Sequence, residues 1–98
     1  MIESENTQKY FQLGKTLEER YPALDFRNHC YWRIALDNVL QGKWDTMIAR
    51  PAYRNLNQDQ LRKVISLLEI YLEDKQLLFR HNQQSLMYRR NVSKNLIE

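Results

Sequence analysis

The chain has 98 residues, 43% of them apolar or aromatic and 28% charged, with a formal net charge of +3. A chain of this length buries roughly two thirds of the surface its unfolded form exposes, enough for one core and no second domain, so residues 1–98 read as one helical domain with frayed ends at 1–4 and 92–98. No apolar run approaches the roughly 20 residues that span a bilayer, and the acidic, polar start Met-Ile-Glu-Ser-Glu-Asn-Thr-Gln is unlike a secretory signal, so a cytoplasmic protein is expected.

The expected fold class is all-α, a bundle of four main helices at about 5–20, 26–41, 58–73 and 75–91, with a packed irregular loop at 43–57. The first helix carries Tyr10, Leu13, Leu17 and Tyr21 on one side, and Pro22 disfavours helical geometry at Tyr21. Gly14 within it marks a close contact with a neighbour.

The second helix is apolar nearly all the way round, which predicts that it is sandwiched between other helices or between two subunits. Asp25 is placed to accept hydrogen bonds from its opening amides, and Gly42 to supply a left-handed stop. Cys30, the single cysteine, lies within this apolar helix and reads as a small hydrophobe.

Between 43 and 57 the chain is irregular, yet Trp44, Met47, Ile48, Tyr53 and Leu56 are too apolar for a solvated linker and predict a lid folded onto the helices. Asp45 is expected to cap a single helical turn that Pro51 closes. The third helix opens with Asn57 and Gln60 in capping-box spacing and has an inner stripe of Leu61, Val64, Ile65, Leu68, Tyr71 and Leu72. A break follows at Glu73-Asp74-Lys75, with Asp74 capping the fourth helix. One continuous rod is disfavoured because Lys75, Asn82 and Arg89 would interrupt its heptad seam.

His29, Arg33 and Asp37 succeed one another at four-residue steps along the second helix. Each step turns by roughly 40°, so the three share one face. Ionisable groups in so apolar a setting must be paired or open onto a cleft. One reading makes Arg33 an anchor for an anionic ligand and His29 a proton carrier, oriented by Asp37. The other makes Arg33 and Asp37 a structural ion pair. On the fourth helix His81, Asn82 and Ser85 also fall on the inward side, so a ligand-binding set of His29, Arg33, Asp37, His81, Asn82 and Ser85 is the candidate pocket.

Trp32, Ala35 and Val39 lie opposite this ionic row, and Leu67 and Ile70 border or leave the inner stripe of the third helix. These surplus apolar faces predict a homodimer interface. Residues 75–98 hold five basic and one acidic side chain, so Arg80, Arg89, Arg90 and Lys94 are candidate contacts for an acidic partner or nucleic acid. The density is low for a nucleic-acid footprint, and no helix-turn-helix pattern accompanies it. No metal site is expected, because His29 and Cys30 diverge by roughly 100° and no paired ligand motif exists. No cofactor is expected either, since two isolated glycines cannot build a phosphate-cradling loop.

The run Tyr-Pro-Ala-Leu-Asp-Phe-Arg-Asn-His-Cys-Tyr-Trp-Arg-Ile-Ala, followed by Gly-Lys-Trp-Asp and Arg-Pro-Ala-Tyr, resembles small uncharacterised all-helical bacterial proteins of the integron gene-cassette type, over about residues 10–90. The resemblance implies a compact helical bacterial protein and carries no catalytic residue over. An acetyltransferase activity, which such proteins are sometimes assigned, is not expected without a strand-rich frame and a pyrophosphate loop. The expected function is therefore non-catalytic binding or interaction, as a homodimer. The alternatives are a small-molecule or anion pocket, which could be enzymatic, around His29, Arg33, Asp37 and His81, and a weak nucleic-acid or acidic-protein contact through the basic carboxyl-terminal helix.

Overall fold

A computed structural model describes the backbone of residues 2–22 and 28–97 and the side chains of residues 5–22 and 30–90. Its elements are α1 (Ile2–Arg20), α2 (Asn28–Leu40), a 3-10 turn (Trp44–Thr46), α3 (Ala52–Asn55), α4 (Gln58–Glu73) and α5 (Lys75–Ile97). The protein is an all-α bundle, with no strand among the described residues. No described helix is long and apolar enough to cross a membrane.

The centre of the bundle is α2, which packs against α1, α4 and α5, while α1 lies along α4. Ile34, Ala35, Leu36 and Asp37 are consecutive and all at most 2% exposed. Four residues at roughly 100° apiece cover the whole circumference of a helix, so α2 is wrapped on every side at this level. Around it Tyr10 and Leu17 of α1, Leu61, Val64, Ile65, Leu68 and Tyr71 of α4, and Leu78 of α5 complete the core.

Helix α4 follows its apolar stripe and opens with the expected capping box. The Asn57 side chain accepts from the Gln60 amide at 2.7 Å, and the Gln60 side chain accepts from the Asn57 amide at 3.0 Å. At its far end Tyr21 Oη donates to the carbonyls of Tyr71 and Leu72, satisfying acceptors that a helix terminus leaves open. Asp74 breaks the chain between α4 and α5, and its carboxylate caps α5 by accepting from the Leu77 amide at 2.9 Å. Helix α5 then continues to Ile97, past the expected end at Asn91.

Gly14 is where Trp32 of α2 lies against α1. A Cβ on Gly14 would sit 2.5 Å from the indole carbons, closer than nonbonded atoms approach. Trp32 is fixed there by donating Nε1–H to the Tyr10 carbonyl at 2.9 Å and by stacking on the Tyr10 ring, with centroids 5.3 Å apart and planes at 5°.

Two expected helix signals are corrected. The left-handed residue ending α2 is Gln41, with φ 59°, and not Gly42. The Gly42 amide closes the helix onto the Asp37 carbonyl at 3.1 Å, a Schellman bond. The absent side chain of Gly42 instead makes room for Met47, whose sulfur would lie 2.9 Å from a Cβ. Asp45 caps nothing: the 3-10 turn is opened by Lys43 without a side-chain cap, and the Asp45 carboxylate pairs with arginines instead. The expected Asp25 cap lies outside the described residues.

A side chain in left-handed geometry costs about 1 kcal/mol that glycine avoids. Gln41→Gly is therefore expected to stabilise the fold by about that amount, read as a rise in the urea midpoint with an unchanged slope.

Candidate functional site

Asp37 is wholly buried, and its carboxylate accepts four hydrogen bonds: the Trp44 amide at 3.0 Å, Ser85 Oγ at 2.6 Å, Arg89 Nε at 2.9 Å and Arg89 Nη2 at 3.2 Å. The two contacts with Arg89 form a forked ion pair, the geometry that best repays desolvation of both charges. Arg89 also lies 3.8 Å from Asp45, which in turn holds Arg50 at 2.8 Å.

The expected ion pair between Arg33 and Asp37 does not form. Arg33 donates to Ser85 Oγ at 2.6 Å and to Asn82 Oδ1 at 2.9 Å, so Ser85 relays between the two charges. A cation four residues ahead of an anion is the less favourable order along a helix, whereas Arg89 reaches both carboxylate oxygens from α5. Of the expected pocket set, Arg33, Asp37, Asn82 and Ser85 come together. The side chain of His29 lies outside the described residues. His81 does not join: its Nδ1 faces Tyr71 Oη at 2.8 Å, and its carbonyl accepts from Asn38 of α2 at 2.9 Å.

The other sequence candidates also move. Ala35 is fully buried within its own chain, while Trp32, Val39 and Leu67 are partly buried and pack against the core. Ile70 alone of that set is exposed, joined by Phe11, Met47, Phe79, Leu86 and Met87. Arg89, counted among the basic contacts, is committed to Asp37; Arg80 and Arg90 are exposed, and the side chain of Lys94 lies outside the described residues.

Beside this network lies a cleft of about 300 Å³ that residue spacing did not reveal. Its walls are Tyr10 and Phe11 from α1, Trp32, Arg33 and Leu36 from α2, and Trp44, Arg50, Pro51, Ala52 and Tyr53 from the loop. Phe11 stands edge-on to Trp32 (5.5 Å, 90°) and to Tyr53 (4.9 Å, 71°), and the Arg50 guanidinium lies 5.2 Å over the Trp44 ring. Tyr10 is 4% exposed, and its hydroxyl has no hydrogen-bond partner among the described residues. Burial pushes the Tyr10 phenol well above its ordinary pKa, so it remains a donor. The aromatic content of the 43–57 segment was the available signal; that it faces Tyr10 and Phe11 depends on how the loop returns.

A larger groove of about 540 Å³ runs between α2, α4 and α5, but Gln41, Arg62, Lys63 and Ser66 along it are exposed, and it encloses little. Among the described residues no group of three or more His, Cys, Asp or Glu side chains stands close enough to hold a metal ion. No family model matches the sequence, and no curated protein or solved structure is significantly similar to it.

Removing the Asp37 charge leaves Arg89 without its forked partner. Asp37→Asn is therefore expected to cost about 3–5 kcal/mol, measured by urea unfolding; a loss under about 1 kcal/mol would refute the role given to this carboxylate.

Burial, and secondarily Arg80, hold the His81 imidazole below its ordinary value of 6.5. Burial also raises the Tyr71 phenol, so Tyr71 keeps its proton and shares a hydrogen bond with Nδ1 of neutral His81. Because the folded value is the lower one, this contribution is complete above about pH 6.5 and is lost progressively as pH falls below that toward the folded value. The melting temperature should decline between about pH 7.5 and 5.5, and His81→Gln should flatten part of that decline.

Proposed function

We propose that the protein is a non-catalytic binding protein whose ligand is a small molecule seated in the cleft of Tyr10, Phe11, Trp32, Trp44 and Tyr53. The observation that carries this reading is the concavity itself. Three separate stretches of chain contribute flat side chains to one hollow of about 300 Å³, at the small end of the range for ligand pockets. Binding is favoured over catalysis because the ionisable residues on its walls are tyrosines and arginines. Phenols and guanidiniums ordinarily hold their protons at neutral pH, so the walls offer no general base.

Both tryptophans of the chain, Trp32 and Trp44, line the cleft, so their indole N–H resonances report occupancy directly. Titration with a panel of one- and two-ring aromatic fragments is expected to shift both signals saturably. Tyr53→Ala, which removes one wall, should weaken binding about tenfold. Unmoved indole signals across the panel would overturn the reading.

A further inference from the structure

The charge around the cleft specifies more than an aromatic guest. This inference rests on the cleft being a binding site, as proposed above. Arg33 is firmly positioned but not neutralised: its partners are a hydroxyl and an amide oxygen, and among the described residues no carboxylate lies within 4.0 Å of it. The nearby Asp37 is fully engaged by Arg89, Ser85 and the Trp44 amide. Arg50 is paired with Asp45 at one nitrogen, yet its side chain is 71% exposed at the rim. Counting the network as a whole, three guanidiniums (Arg33, Arg50, Arg89) face two carboxylates (Asp37, Asp45), which leaves one positive charge in excess beside the cleft.

An aromatic box with a neutral or acidic rim attracts an ammonium group through the ring faces. Here the rim is cationic, so an ammonium guest would meet Arg33 and Arg50 and be repelled. An anion would meet two guanidiniums, each with N–H groups beyond those already bonded to Ser85 and Asn82 or to Asp45. The cleft admits one or two fused rings and little more.

We propose that the cleft binds a small planar aromatic carboxylate, its ring against the wall formed by Tyr10, Phe11, Trp32 and Tyr53 and its carboxylate against Arg33 and Arg50. The test uses three probes of one shape and different charge: 1-naphthoate, 1-naphthalenemethanol and 1-naphthylmethylammonium, titrated by calorimetry and by the tryptophan indole resonances. A charge-assisted pair contributes enough to predict that naphthoate binds at least about tenfold more tightly than the alcohol, and the ammonium more weakly than either.

Arg33→Gln and Arg50→Gln should each reduce naphthoate affinity by about threefold or more while leaving the alcohol unchanged. Should Arg33→Gln fail to fold, the exposed Arg50→Gln decides alone. Equal binding of acid and alcohol, or an acid preference that survives Arg50→Gln, overturns the carboxylate assignment while the binding cleft stands. Binding of none of the three probes overturns the cleft reading itself.

Discussion

The buried Asp37 carboxylate is the contact on which the arrangement of the other parts depends. It lies on α2, which packs against every other long helix, and its partners come from elsewhere in the chain: Trp44 from the loop, Ser85 and Arg89 from α5. Taking a carboxylate fully out of water costs several kcal/mol unless its lone pairs are met, and here four donors meet them. Such a site does more to select one arrangement than to add net stability. Any other register of α5 against α2 would strand the charge.

The loop and the cleft follow from that anchor. The Trp44 amide bound to Asp37 starts the loop at a fixed point, and Asp45 continues the ionic chain through Arg89 to Arg50. Held this way, the segment returns over α1 and α2 and buries Ala52, bringing Trp44, Arg50 and Tyr53 opposite Tyr10, Phe11 and Trp32. Gly14 completes the geometry by letting the Trp32 indole lie flat on α1. One ionic network thus supports both the packing of α5 and the shape of the hollow, and it leaves Arg33 as a cation without a carboxylate of its own among the described residues.

Local signals were reliable where the physics is local. The Asn57 and Gln60 capping box, the Leu61 to Tyr71 stripe and the Asp74 break each involve residues within a few positions of one another, and each forms as its spacing predicts. The all-round apolar character of α2 likewise announced a wrapped helix. Signals that depend on neighbours were less reliable: Ala35 looked like part of a subunit interface, but it is fully buried in the chain's own core. Gly42 looked like the left-handed residue, yet the helix turns at Gln41 and the glycine serves the approach of Met47.

The amino-acid sequence alone determined the four long helices, most of their limits and the fact that charged groups on the second helix needed partners, because periodicity, capping and burial cost act over one or two turns; it did not give the short α3 within the expected irregular loop. Only the tertiary structure decided which partner each charge took. Arg33 and Asp37 are four residues apart, and Arg89 is far along the chain, but the forked contact from α5 engages both oxygens of Asp37 while Arg33 turns to Ser85 and Asn82. The aromatic cleft was hidden for the same reason: its walls come from three distant segments, and what brings them together is the return path of a loop that no local pattern encodes.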